Sequence, residues 1–164
     1  MATQTERRHE PKDGNVKRVV RGDLAALDAL DSESMGVFCW FDVRPLAGPA
    51  GFLDWRLCGA LSRTLEKGLF EARRSEVMLV PAVGRLRLRR VFVFGLGPTD
   101  EATPTILRHA CRRAYEVMRK AGAEHLAFAA PTARGQPDLE AAFLRALEEE
   151  LPGRIDLVLA EHVS

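Results

Sequence analysis

Several features that would indicate a particular class of protein are scarce in this chain of 164 residues. Three cysteines are an odd number with wide spacing, and each lies in an apolar segment, so we interpret Cys39, Cys58 and Cys111 as reduced core thiols. No stretch is long and apolar enough to span a bilayer. The N-terminus has no apolar signal core, and we expect residues 1–14 to form a disordered tail. These observations favour the cytoplasm and exclude a membrane partner.

An excess of charge of one sign is also missing. Lysine and arginine total 24, aspartate and glutamate 23, and the net charge is +1. No global field therefore draws the chain to nucleic acid. Aromatic residues make up 7% of the chain, and few stand among the arginines to stack on bases. DNA contact through arginine patches is accordingly the weakest of the functions we consider.

Motifs for metal, cofactor or catalytic chemistry do not occur. The four histidines are scattered, and no His-x-x-x-His, Cys-x-x-Cys or Asp-x-Asp spacing appears. No serine stands in a glycine elbow, and no Gly-x-Gly-x-x-Gly or Walker pattern is present. The sequence thus predicts no metal, no cofactor and no catalytic residue, and we expect a protein that is not an enzyme.

What the chain does contain is a regular alternation of apolar strands and amphipathic helices. Strands are predicted at 16–20, 35–43, 76–81, 90–97, 125–131 and 155–160. Helices are predicted at 52–66, at 104–121 with Thr103 as N-cap, and from a cap at Asp138 to 151, with a short one near 24–30. The alternation indicates one domain, residues 15–164, with a three-layer α/β/α sandwich around a mixed, largely parallel sheet.

Two glycine loops, 48–51 and 95–97, each precede a predicted helix. Backbone N–H groups at helix starts can hold phosphate, and α/β sheets bind ligands at the carboxyl ends of their strands. The candidate ligand-binding residues are Gly48, Ala50, Gly51, Gly95, Leu96 and Gly97. The other interpretation is a pair of tight turns without a ligand, because Asp54, Asp100 and Glu101 near the helix starts would repel a phosphate.

Arginine supplies a second candidate site. Residues 84–90 alternate arginine with leucine, which predicts a hairpin arm with one cationic face. More arginines lie on the outer face of the helix at 104–121. The candidate interaction patch comprises Arg85, Arg87, Arg89, Arg108, Arg112 and Arg119. A solvated face or a salt-bridged protein interface is favoured over nucleic acid, because acidic residues balance the arginines overall.

Two strings carry a family resemblance. They are Leu53-Asp54-Trp55-Arg56-Leu57-Cys58-Gly59-Ala60-Leu61-Ser62 and Arg90-Val91-Phe92-Val93-Phe94-Gly95-Leu96-Gly97, the second followed by the helix from Thr103 to Gly122. With its order of elements, the chain from about Val16 onward resembles the N-terminal domain of the cytosol (leucyl) aminopeptidase family, peptidase family M17. The resemblance implies a macro-domain-like α/β fold.

The resemblance also sets expectations for function. The family's metal-binding catalytic domain carries the signature Asn-Thr-Asp-Ala-Glu-Gly-Arg-Leu, which these residues do not contain, so no catalytic role is carried over. In full-length members the N-terminal domain contributes to hexamer assembly and, in some, to DNA contact. Related macro domains bind ADP-ribose through glycine-rich loops. Our leading hypothesis is therefore a stand-alone, non-catalytic module for protein interaction or self-association, and the alternative is a module that binds ADP-ribose or another nucleotide at the glycine loops.

Overall fold

A computed structural model describes residues 18–82, 84–151 and 154–163, and the predicted tail lies outside these ranges. Within these ranges, six strands form one sheet: β1 (Val19–Arg21), β2 (Ser34–Cys39), β3 (Val77–Pro81), β4 (Arg90–Gly95), β5 (Ala127–Ala129) and β6 (Leu157–Ala160). Their order is β1-β6-β5-β2-β4-β3. Every neighbouring pair is parallel except β3 and β4. The prediction of a mixed, largely parallel sheet is confirmed.

In the part of the chain that the structure describes, five α-helices cover the two faces of this sheet: α1 (Leu24–Asp28), α2 (Gly48–Arg56), α3 (Ala60–Glu66), α4 (Pro104–Lys120) and α5 (Pro137–Glu150). Leu27, Leu53 and Leu61 place α1, α2 and α3 against one face. Leu107 and Phe143 place α4 and α5 against the other. Apolar side chains of alternate strand residues enter opposite clusters, as the two-residue period of a strand requires. The three-layer α/β/α sandwich is confirmed.

The longest helix follows its sequence signals closely. The Thr103 hydroxyl oxygen accepts a hydrogen bond from the Ile106 N–H at 3.2 Å, and Pro104 is the first residue of α4. Gly122 follows the helix with a φ of +83°, a conformation in which glycine avoids the steric cost of a Cβ atom. Both ends of α4 were thus predicted correctly.

The predicted single helix at 52–66 is wrong, because the structure has two helices there. Cys58 and Gly59 adopt positive φ angles of 54° and 77° and separate α2 from α3. The carboxylate of Asp54 in α2 accepts hydrogen bonds from the Leu61 and Ser62 N–H groups at 2.8 and 3.2 Å. A side chain of the first helix therefore caps the start of the second.

Smaller corrections concern a loop, a cap and a thiol. Residues 48–51 form the first turn of α2 rather than a loop before it. Asp138 lies in the first turn of α5, whose N-cap is Gln136. Cys58 is exposed and so is not the core thiol we expected, whereas Cys39 and Cys111 are buried. Burial raises the pKa of the Cys39 thiol to about 12 and raises that of Cys111 further still.

Candidate functional site

The candidate ligand-binding site lies at the carboxyl ends of the parallel strands. β2 leads into α2 on one face of the sheet, and its neighbour β5 leads into α5 on the other face. The segments that leave these adjacent strands therefore diverge, which is the arrangement that opens a ligand crevice in α/β sheets. Residues that follow β6 lie at the same edge, since β6 is the parallel neighbour of β5.

An open groove of about 460 Å³ runs along α2 at this edge, and we call it the α2 groove. It is lined by Leu24, Leu46, Ala47, Gly48, Gly51, Phe52, Trp55, Arg134 and Glu161. Gly48, Gly51, Phe52 and Trp55 follow the spacing of one helix face. Phe52 and Trp55 are 41% and 64% exposed. The groove therefore offers bare helix backbone at one end and two aromatic side chains at the other.

The two glycines of the groove are required by close packing. Gly48 has a φ of +57°, and a Cβ atom there would overlap the Thr132 hydroxyl oxygen. At Gly51, a Cβ atom would lie 2.8 Å from the Leu46 carbonyl oxygen, too close for any real side chain. Close packing within the fold therefore explains both glycines, and both also line the groove.

Electrostatics at the start of α2 suit an anion. The N–H groups of Gly48 and Ala50 have no partner within the helix, whereas Pro49 has no N–H and the Gly51 N–H donates to the Ala47 carbonyl oxygen at 3.3 Å. Ala47 provides no side-chain cap, and the first turn holds no acidic residue. The expected repulsion by Asp54 does not arise, because Asp54 is buried near the far end of α2 and caps α3. Thr132 is only 8% exposed, and its hydroxyl oxygen has no hydrogen-bond partner within the described structure.

The second glycine loop is used within the fold. The N–H groups of Gly95, Leu96 and Gly97 donate to the carbonyl oxygens of Glu76, Cys39 and Ala72 at 2.8, 2.9 and 3.0 Å. The cavity beside this loop has room for about one water molecule, 10 Å³. These donors are occupied, and the structure does not bring residues 95–97 into the α2 groove.

The predicted arginine patch divides into two groups. Arg108 and Arg112 pair with Glu149 and Glu150 of α5, and a hydrogen bond from Arg112 lowers the pKa of Glu150. Arg119 donates to the Ala123 carbonyl oxygen at 2.8 Å. These three arginines therefore connect α4 to α5 and to the segment that follows α4.

The other three arginines, Arg85, Arg87 and Arg89, form what we call the arginine arm. All three side chains are exposed. Arg85 donates to the Cys58 sulfur, and Arg89 lies 3.7 Å from Glu33. Arg87 has no ion-pair partner within the described part of the chain. Leu88 between them is buried and Leu86 is half-buried, but residues 84–89 form turns between β3 and β4 and not the extended arm that the alternation predicted.

Sequence reasoning missed the other residues that line the groove and the buried threonine beside Gly48: Leu24, Leu46, Ala47, Phe52, Trp55, Arg134, Glu161 and Thr132. The spacing of 48, 51, 52 and 55 could have indicated a shared helix face. The contributions of Thr132, Arg134 and Glu161 depend on strand order, which single-chain periodicity does not reveal.

Within residues 18–82, 84–151 and 154–163, no three His, Cys, Asp or Glu side chains are grouped to hold a metal ion. Nor does this part of the chain contain a helix of the length and apolarity needed to cross a bilayer.

The sheet order and the groove at its carboxyl edge define a macrodomain-like α/β domain. Residues 36–154 match the model of the cytosol aminopeptidase family, N-terminal domain, and the chain belongs to that family. The resemblance noted from the two sequence strings is thereby confirmed.

Solved structures show the same fold. A tomato leucine aminopeptidase is 13% identical with a TM-score of 0.60; the match covers 95% of this chain and 34% of that one, so the chain spans about a third of the aminopeptidase. A Trypanosoma brucei macrodomain is 19% identical with a TM-score of 0.62 and coverage of 93% and 65%. The T. brucei macrodomain in complex with ADP-ribose is 17% identical with a TM-score of 0.55 and coverage of 88% and 63%. At these identities the likeness concerns the fold alone.

Proposed function

We propose that this chain is a non-catalytic binding domain and that it binds a nucleotide, with ADP-ribose as the leading candidate, in the α2 groove. The observation that carries the proposal is the groove itself, in which an uncapped helix start and two exposed aromatic side chains lie on one face of α2. The complex of the T. brucei macrodomain with ADP-ribose supports the choice of ligand.

Each part of such a ligand has a matching group in the groove. The diphosphate would lie at the first turn of α2, where N–H groups and the helix dipole favour negative charge. Arg134, which also lines the groove, would add a charge-assisted hydrogen bond. The adenine ring would stack on Trp55, and Glu161 would accept hydrogen bonds from ligand hydroxyl or amino groups.

Absence of catalysis forms the other half of the proposal. The matching family domain is the N-terminal one, and the described residues group no metal ligands. We expect the purified chain to release no amino acid from Leu-p-nitroanilide when Zn²⁺ or Mn²⁺ is added. Metal-dependent release that follows the protein through purification would contradict this half.

Calorimetric titration with ADP-ribose, with AMP for comparison, tests the binding half. We expect one saturable site, and we expect Trp55→Ala and Arg134→Ala each to weaken binding by roughly five- to fiftyfold, as the loss of a stacking or charged contact would. Arg145→Ala is the matched control, because Arg145 is exposed on α5 and does not line the groove. Absence of heat at millimolar ADP-ribose, or equal loss in the control, would overturn the proposal.

A second candidate function, protein interaction or self-association, is favoured by the arginine arm. Its three side chains are exposed, and the contact of Arg89 with Glu33 is long and solvated. Such a pair contributes little to stability. We propose that the arm contacts the acidic surface of a protein partner, and the experiment below tests this role.

A further inference from the structure

The sheet has an open edge at β3, whose only strand neighbour in the described structure is β4. The Gly95 N–H donates to the Glu76 carbonyl oxygen, and the Ala82 N–H donates to the Arg89 carbonyl oxygen. Because hydrogen-bonded residues alternate along an antiparallel pair, Glu76, Met78, Val80 and Ala82 face β4. Val77 and Leu79 therefore direct their N–H and C=O groups away from β4, and Pro81 directs a C=O alone.

This edge has few of the features that usually prevent strand addition. Natural sheets protect an edge with charged side chains, bulges or proline. Residues 77–80 contain no charge, every side chain of β3 is at least partly exposed, and Leu79 is 54% exposed. Pro81 closes the C-terminal end only. Val77 and Leu79, the two outward-facing residues before Pro81, can therefore form a short hydrogen-bonded ladder with an added strand.

The charged side chains before β3 are paired, whereas those after β3 leave an excess of positive charge. Before the strand, Arg73 pairs with Glu71 and Arg74 with Glu101, and the Glu76 carboxylate accepts from the Glu71 and Arg73 N–H groups. After the strand comes the arginine arm, in which Arg87 has no ion-pair partner among the described residues. The excess positive charge therefore lies beyond the C-terminal end of β3.

This asymmetry points to one kind of occupant. A second copy of the chain, added antiparallel about a two-fold axis, would bring its residues 71–76 to the arm, and the carboxylates of that segment are already bonded. An extended segment with unpaired carboxylates at its N-terminal end would instead pair with the arm as its backbone pairs with β3.

We infer that the open edge of β3 accepts an extended segment of a protein partner in antiparallel pairing, with acidic residues at the N-terminal end of that segment on the arginine arm. This inference rests on the second proposed function, and it supplies the geometry of that interaction.

The test uses a fluorescein-labelled peptide, acetyl-Asp-Glu-Asp-Val-Thr-Val-Thr-Val-amide, and the intact chain, with binding followed by fluorescence anisotropy. We expect saturable binding that weakens with salt. Leu79→Pro removes one outward N–H without touching the ladder to β4 and is expected to weaken binding roughly five- to tenfold. Leu79→Thr keeps that N–H and is expected to bind like the wild type. Arg87→Gln is expected to weaken binding and reduce its salt dependence.

A second peptide, with its alternate backbone nitrogens methylated, tests strand pairing without any change to the protein. If it binds the wild type as tightly as the first peptide, strand addition is wrong while the interaction role survives. If the acidic peptide does not bind, or if a version with lysine in place of the acidic residues binds equally well, both are wrong. A concentration-dependent dimer that Leu79→Pro abolishes would assign the edge to a second copy and overturn the inference.

Discussion

Gly95 has no room for a side chain, because a Cβ atom there would overlap the Arg73 carbonyl oxygen and the backbone of Ala72. Glycine at this position is explained by packing, with no ligand needed. Gly48 also meets a close neighbour, Thr132, but its backbone lies at the start of a helix and lines an open groove. Glycine therefore allows close packing in the loop 95–97, whereas Gly48 is part of an accessible groove.

Asp42 provides a pH-dependent contribution to stability. Its carboxylate accepts hydrogen bonds from the Thr99 N–H and hydroxyl groups at 2.9 and 2.7 Å. Burial alone would raise the pKa of Asp42, but these hydrogen bonds outweigh it and hold the pKa below its ordinary value. Because the folded-state pKa is the lower one, the ionised form stabilises the fold above about pH 4, and this stability is lost as the pH falls through the folded-state pKa.

We therefore expect Asp42→Asn to lower the free energy of unfolding at pH 7 by less than about 1 kcal/mol, since water screens the exposed carboxylate. Urea unfolding at pH 7 and at about pH 3 measures the difference, which should be smaller at the lower pH. Asp100→Asn is the control, because Asp100 is exposed in the turn 99–101 and carries no such bonds. An Asp42→Asn difference that is the same at both pH values would contradict this account.

At the scale of elements, the break between α2 and α3 shows where periodicity fails. Leu53, Leu57, Leu61 and Leu65 recur every four residues, which is typical of one continuous helix. Leu57 and Leu61 do enter the same core cluster, but the left-handed Gly59 lies between them. The spacing correctly predicted the buried face and could not predict the break, which depends on Asp54 reaching forward to α3.

Asp54 is expected to stabilise this junction, since it is buried and bonds two N–H groups at the start of α3. Asp54→Ala removes both of these bonds and the one that Asp54 accepts from the Ser62 hydroxyl group, and it should lower the free energy of unfolding by about 2 kcal/mol, the upper end for a helix cap. Urea unfolding monitored by circular dichroism measures the loss. Asp138→Ala, at an exposed position where no capping bond is made, should change stability by less than about 0.5 kcal/mol. Equal effects of the two substitutions would contradict the capping role.

Strand positions were predicted better than strand ends. The apolar run at 35–43 predicted β2 correctly, but β2 ends at Cys39, where its partner β4 ends at Gly95. The run continues through Trp40 because that side chain is buried in the core beyond the sheet. Apolar composition reports burial, whereas the end of a strand is decided by the length of its neighbours.

At the scale of the whole molecule, the sequence predicted the α/β/α class and the family but not the sheet order. β2 lies between β5 and β4, so residues far apart in the chain meet at the carboxyl edge. This order brings Arg134 and Glu161 into the same groove as Gly48 and Trp55. The same order separates the second glycine loop from the groove, and it makes β3 an edge strand.

The measurement that tests the central claim most directly is a ¹⁵N heteronuclear NMR titration of the intact chain with ADP-ribose. We predict shifts of the Gly48 and Ala50 amides and of the Trp55 indole N–H, while the Gly95, Leu96 and Gly97 amides, bonded within the fold, keep their positions. Shifts confined to residues 95–97, or a spectrum unchanged at millimolar ligand, would contradict nucleotide binding in the α2 groove.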